Sequence, residues 1–149
     1  MRVSLNKSVA LSDIYPLIEE QLLSGGSASF VIHGTSMLPL LRDRLDSVRV
    51  IKADKIKRRD IILYRRTSGE FILHRVVRVK GDKLYCRGDN QFDNEIIDRS
   101  QLLCVVSHYE KDGTRYSVKS ARHTIYSIFW LNSVLIRRAY AKLFKGRRK

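Results

Sequence analysis

The chain has only two cysteines, Cys86 and Cys104. That is too few for a disulfide scaffold, and no C-x-x-C spacing is present to hold a metal. Both lie in apolar, strand-like runs, so buried free thiols are expected, with a single Cys86–Cys104 bridge as the alternative. Nothing in the sequence asks for a metal or a cofactor. Long apolar runs are also missing: none reaches the roughly 18–20 residues that span a bilayer. The nearest, Thr124 to Ile136, is interrupted by Ser127, Asn132 and Ser133. The first thirteen residues lack the apolar centre of a secretory signal, so a cytoplasmic place of work is expected. Acid is the scarcer charge, with 15 Asp and Glu against 29 Lys and Arg, a net +14. From Arg137 to Lys149 there are seven basic residues and no acidic one, which is half of that excess. Such a tail suits an anionic membrane surface or nucleic acid, or serves only as a solvated end.

The 149 residues are enough for one domain with a real core. Leu11, Ile14, Leu17, Ile18 and Leu22 recur at helical spacing, predicting a helix over Leu11 to Leu23 that Ser24-Gly25-Gly26-Ser27 ends. Ser12 or Asp13 is expected to cap it, and Pro16 fits only within its first turn. Short apolar runs then alternate with turns. Strands are predicted at Ser29 to His33, Val48 to Ile51, Ile61 to Arg65, Phe71 to Val79, Leu84 to Cys86, Leu102 to Tyr109 and Arg115 to Val118. Thr67-Ser68-Gly69, Gly81-Asp82 and Lys111-Asp112-Gly113 are the hairpin turns. The fold class expected is mainly β, a compact barrel-like domain. One further helix, from His123 to Phe144, carries apolar and aromatic residues beside Arg137, Arg138 and Lys142. It reads equally as an interfacial helix and as a helix packed on the β domain. The division expected is 1–120 for the body, with its N-terminal helix, and 121–149 for the apolar and basic tail.

Two features carry chemistry. Ser36 lies in the glycine-led run Gly34-Thr35-Ser36-Met37-Leu38-Pro39, and His74 lies mid-strand in Phe71-Ile72-Leu73-His74-Arg75-Val76-Val77. A hydroxyl in a turn and an imidazole on another strand are the parts of a nucleophile–base pair. Of the other histidines, His33 is too close to Ser36 along one strand, His108 lies near a strand end, and His123 has no evident partner.

These runs resemble the superfamily of type I signal peptidases and self-cleaving LexA-type repressors. The family's Ser-Met-x-Pro box is matched by Ser36-Met37-Leu38-Pro39, and its Asp-Ile strand by Arg59-Asp60-Ile61-Ile62-Leu63-Tyr64. His74-Arg75-Val76-Val77 is similar to the His-Arg-Val box of the archaeal and endoplasmic-reticulum type, and Gly88-Asp89-Asn90 to the final Gly-Asp-Asn box. The ordered set, from about Val31 to Val106, carries the resemblance rather than any one box.

The resemblance implies an all-β core and a serine endopeptidase that cuts a leader or signal segment from a precursor peptide. Ser36 would be the nucleophile and His74 the general base in place of the bacterial lysine. A neutral imidazole needs less adjustment than a lysine to act near pH 7. Relatives bind the substrate as an added strand. A carboxylate would support the imidazole; Asp89, Asp93 and Glu95 are the candidates, with Asp89 and Asp93 preferred on the expectation of a short loop. The other reading of Asp89 is that it only holds its own turn. The oxyanion donors would be the backbone N–H of Ser36, helped by Thr35, because Gly34 stands where many bacterial relatives carry a donating serine. The chain departs from the pattern in two further ways. Leu45 and Arg59 replace the usual glycines ahead of two strands, and an apolar segment lies at the C-terminus instead of an N-terminal anchor. The alternatives on the same fold are a nucleic-acid-binding protein and a membrane-associated module without catalysis. No helix-turn-helix precedes the β core, which weighs against nucleic acid as a partner. The partners expected are a peptide precursor and, through the C-terminal helix, an anionic membrane.

Overall fold

The structure is a computed structural model and describes residues 10–146, with side chains described through Leu143. The basic residues Arg147, Arg148 and Lys149 lie outside the described residues. Helix α1 spans Leu11–Leu23 and buries Ile18 and Leu22. Neither Ser12 nor Asp13 caps it; Ala10 takes the cap position without a side-chain bond. Pro16 lies in the second turn, not the first, so the helix runs through the proline and forgoes one backbone bond there. Gly25, at φ 80°, closes the end in the left-handed conformation that glycine adopts without strain.

Eight strands follow: β1 (Ser27–Val31), β2 (Ser47–Ile51), β3 (Ile61–Arg65), β4 (Phe71–Lys80), β5 (Lys83–Arg87), β6 (Glu95–Asp98), β7 (Leu102–Lys111) and β8 (Thr114–Ser117). All pairings are antiparallel, in the order β1-β2-β7-β3-β4-β5-β6, with β8 also on β7. The sheet is open, with β1 and β6 at its two ends. The barrel-like expectation therefore holds only as far as a mainly β fold. The bends that curl the sheet come from irregularities in register between Arg49 and Val50, Leu63 and Tyr64, and Val76 and Arg78.

Strand β3 explains why both faces are covered. Ile61, Ile62, Leu63 and Tyr64 are all buried, and alternation sends them to opposite sides. Ile61 and Leu63 join Ile18, Leu22, Met37, Leu41, Val48 and Val106 in one cluster under α1. Ile62 and Tyr64 join Val76, Leu84, Cys86 and Ile97 in the other. Cys86 and Cys104 belong to different clusters and are both free, so the bridge is not formed. Burial pushes both thiols up to about 12.

The single C-terminal helix expected from His123 to Phe144 is instead two, α2 (Ala121–Asn132) and α3 (Val134–Gly146). Ser133 leaves helical geometry at φ −105°, ψ 76°, and its carbonyl then accepts from Arg137 N–H to start the second helix. No helix among the described residues is long and apolar enough to cross a membrane.

Candidate functional site

The Ser36 turn joins β1 to β2. Gly34 sits at φ 95° and donates its N–H to Asp43 Oδ1 at 2.8 Å. Met37 and Leu41 are buried beneath the turn and fix it to the core. At the far end Arg42 grips the buried Asp46, and the backbone of Ile32 bonds to that of Asp46. These bonds make the Ser36 turn an anchored frame.

That frame is docked onto the Gly88-Asp89-Asn90 turn. The Ser36 carbonyl accepts from Asn90 N–H at 2.8 Å, and the Thr35 carbonyl accepts from Asn90 Nδ2 at 3.2 Å. A Cβ built on Gly88 would overlap the Ser36 carbonyl oxygen, so only glycine lets the two backbones approach so closely. Strand β4 carries His74 and pairs with β5, which leads into Gly88. Arg75 pairs with Arg87 and Val76 with Cys86, so His74 and Gly88 are each the next residue beyond the Arg75–Arg87 pair. The Ser36 backbone thus meets the chain at the residue that follows β5, while His74 precedes Arg75 on the partner strand. No hydrogen bond links the Ser36 hydroxyl to either ring nitrogen.

His74 is 4 % exposed and its burial pushes it down to about 4, with Glu95 opposing that shift and Arg66 adding to it. The imidazole is neutral at pH 7, the state a general base requires. Its Nδ1 lies 3.2 Å from the Tyr64 hydroxyl, which bonds Glu95 Oε2 at 2.7 Å. Arg66 holds Glu95 with Nε on Oε1 at 2.7 Å and Nη2 on Oε2 at 2.8 Å. Among the described residues Nε2 of His74 has no hydrogen-bond partner. The Thr35 and Ser36 N–H groups donate to no acceptor among the described residues.

The carboxylates fall differently from the expectation. Asp89 does not bond His74. Its oxygens take Arg75 Nε at 2.7 Å, Arg75 Nη2 at 2.8 Å and the Tyr126 hydroxyl at 2.9 Å. Trp130 Nε1 donates to the Asp89 carbonyl at 2.7 Å, and Arg137 bonds the Gln91 carbonyl. Arg75 and Asp89 are both sealed from solvent, and alternation along β4 turns Arg75 away from the His74 face. Asp89 therefore holds its own turn, the one on which the Ser36 turn docks, and ties it to α2. Asp93 is exposed and makes no hydrogen bond or ion pair among the described residues. Glu95, the third candidate, is the acid connected to His74, and the connection runs through Tyr64. The short-loop expectation fails because Glu95 opens β6 and is held in register with Cys86, which brings its carboxylate back over β3.

Tyr64 and Arg66 were not among the expected site residues. The sequence held a signal for Tyr64. A hairpin turned at Thr67-Ser68-Gly69 pairs Ile62 with His74 and Tyr64 with Ile72, as observed, and puts Tyr64 diagonal to His74 on one face.

The remaining histidines stand apart. His33 is exposed, His108 lies beside Ser107 on the outer face of β7, and His123 is buried between Tyr109 and Arg75. Among the described residues no group of His, Cys, Asp and Glu is arranged to hold a metal. Comparison with family models gives no match, and comparison with curated proteins gives none either.

Proposed function

We propose that the chain is a serine endopeptidase of signal-peptidase type, on a LexA- and signal-peptidase-like variant of the open β fold, that removes a leader segment from a precursor peptide. The observation that supports this reading most is that the Ser36 backbone docks on Gly88, the residue after β5, while the strand paired with β5 carries a buried neutral His74. In the reaction Ser36 Oγ attacks the substrate carbonyl carbon while His74 Nε2 takes the hydroxyl proton. The carbonyl oxygen becomes an oxyanion facing the open N–H groups of Ser36 and Thr35. Collapse breaks the C–N bond, and the imidazolium returns its proton to the leaving amine. Water, deprotonated by the same nitrogen, then hydrolyses the ester at Ser36. Among the described strands β1 lies at an end of the sheet and leads into the Ser36 turn, which suits an extended peptide added as a strand.

The reading includes work on the cytoplasmic side with peripheral contact to an anionic membrane. Support comes from the outer faces of α2 and α3. Ile125, Ile128 and Phe129 share one exposed face of α2, and Leu135 and Leu143 one of α3, with Leu135 80 % exposed. Arg122, Arg138 and Lys142 flank them, and no acidic residue follows Asp112 in the sequence.

The test is acylation by a serine-directed probe with the modified residue located by mass spectrometry. Label is expected on Ser36 in the native chain and on neither Ser36→Ala nor His74→Ala. Equal labelling of Ser36 in the native and His74→Ala proteins would end the reading.

A further inference from the structure

We infer that Tyr64 is a positioning residue for His74, holding the imidazole in the tautomer that leaves Nε2 bare. The inference rests on the peptidase reading and deepens it at the same site.

The argument is a count of protons. Arg66 bonds both oxygens of Glu95, and these bonds hold the Glu95 carboxyl below the usual carboxylate range against the opposing effect of burial. An ionised carboxylate only accepts. The 2.7 Å contact between Tyr64 and Glu95 Oε2 is then Tyr64 donating. A phenol has one proton, so the Tyr64 oxygen turns a lone pair toward His74 Nδ1, 3.2 Å away. Two lone pairs do not make a hydrogen bond, so Nδ1 carries the hydrogen. A neutral imidazole has one N–H, which leaves Nε2 as the acceptor. That nitrogen is the one without a hydrogen-bond partner among the described residues, and a bare nitrogen is what the Ser36 proton requires. When Nε2 takes the proton, the charge is met at Nδ1 by the Tyr64 oxygen and beyond it by Glu95. No proton leaves Tyr64, whose ionisation is pushed well up, first by burial and then by Glu95.

The charged and titratable groups around His74 come from three elements. They are Tyr64 and Arg66 at the end of β3, Glu95 on β6, and Asp89 at longer range beyond β5. Among the described residues only Tyr64 forms a hydrogen bond with the ring. Arg66 and Glu95 act through it.

The experiment reads the tautomer directly, in ¹⁵N-histidine-labelled Ser36→Ala protein, from long-range ¹H–¹⁵N spectra with His74 assigned by His74→Gln. The expected result is a protonated Nδ1 and an unprotonated Nε2. Tyr64→Phe keeps the ring and removes the hydroxyl, and is expected to mix the two tautomers. With Ser36 restored, it should slow labelling of Ser36 by at least about tenfold, a part of the roughly 10²–10⁴-fold that a general base supplies. Glu95→Gln offers an N–H to the Tyr64 oxygen, frees the phenol proton to turn toward Nδ1, and is expected to invert the tautomer. A Tyr64 that only fills space would leave the tautomer unchanged in both variants, and that result overturns the inference. So does a native His74 protonated at Nε2. The expected tautomers together with no labelling of native Ser36 would support the relay and overturn the peptidase reading.

Discussion

The carbonyl oxygen of Ser36 occupies the position where a side chain on Gly88 would stand. This contact ties the turn bearing the hydroxyl to the strand pair bearing the imidazole. Gly88→Ala places a methyl group against backbone, which cannot rotate away. The Ser36 turn must lift from its bonds to Asn90. The expected cost is about 1–3 kcal/mol of stability, with loss of Ser36 labelling. Thermal unfolding and probe labelling check it together; an alanine variant that labels at the native rate would mean that the contact does not set the site.

Asp89 and Arg75 form a sealed bidentate pair. Asp89→Asn leaves the Arg75 guanidinium buried without its counter-charge. The expected destabilisation is about 3–5 kcal/mol, read from the denaturation midpoint. Tyr126→Phe removes one donor to the same carboxylate while Arg75 keeps its counter-charge, and should cost less, about 1.5–3 kcal/mol. A larger loss for Tyr126→Phe than for Asp89→Asn would reverse the assignment.

Two imidazoles are held far below their ordinary value. Burial lowers both His74 and His123 to about 4, with Arg75 adding to the effect at His123. The unfolded chain binds their protons near pH 6.5 and the folded chain only near 4. Their stabilisation is therefore complete above about pH 6.5 and is lost as the pH falls toward 4. The loss is on the order of 3 kcal/mol for each ring. Denaturant midpoints between pH 7 and 4.5 should show the fall, and His123→Phe should reduce its slope. A flat profile across that window would contradict the burial of both rings.

Arg59 adopts φ 83°, a glycine-like backbone conformation, while Arg75 Nη1 bonds its carbonyl at 3.0 Å. The chain has kept the turn without the residue that suits it. Arg59→Gly should be neutral or stabilising by up to about 1 kcal/mol, whereas Gly34→Ala, at φ 95°, should destabilise by a similar amount. Melting temperatures of the two variants decide this.

The exposed faces of α2 and α3 predict sedimentation of the full chain with vesicles containing phosphatidylglycerol, and much less with phosphatidylcholine alone. Leu135→Asp with Ile125→Asp should abolish it, and Ser36→Ala should leave it intact. Salt-sensitive binding to DNA without vesicle binding would favour the nucleic-acid alternative instead.

The strands were legible because period-two patterns and glycine turns are local. Phe71 to Val79 and its hairpin partner could be read from residues alone, and the observed β4 runs one residue further. Strand β6 was missed because Glu95-Ile96-Ile97-Asp98 is too short to show alternation, and it exists only because β5 offers an edge. The break at Ser133 was missed because the apolar run continues on both sides of it, while the cause is tertiary: Trp130 and Tyr140 pack edge-on across the bend, with ring centres 5.6 Å apart. Ser36 and His74 were read from their flanking residues. The acid behind His74 was not, because a hydrogen-bond chain through a tyrosine on a third strand depends on register rather than on spacing. Asp89 was misassigned for the same reason, since its partner Arg75 is the immediate neighbour of the histidine and faces the other way.

Cys86 and Cys104 lie on opposite sides of β3, each within a packed layer. An alkylating reagent can meet either sulfur only when the chain opens, and each layer carries its own reporter. If the two sides of the sheet come apart in one cooperative event, both thiols will be modified at the same rate. If the α1 side loosens first, Cys104 will react ahead of Cys86, and the native chain records the order of its own unfolding without any introduced label.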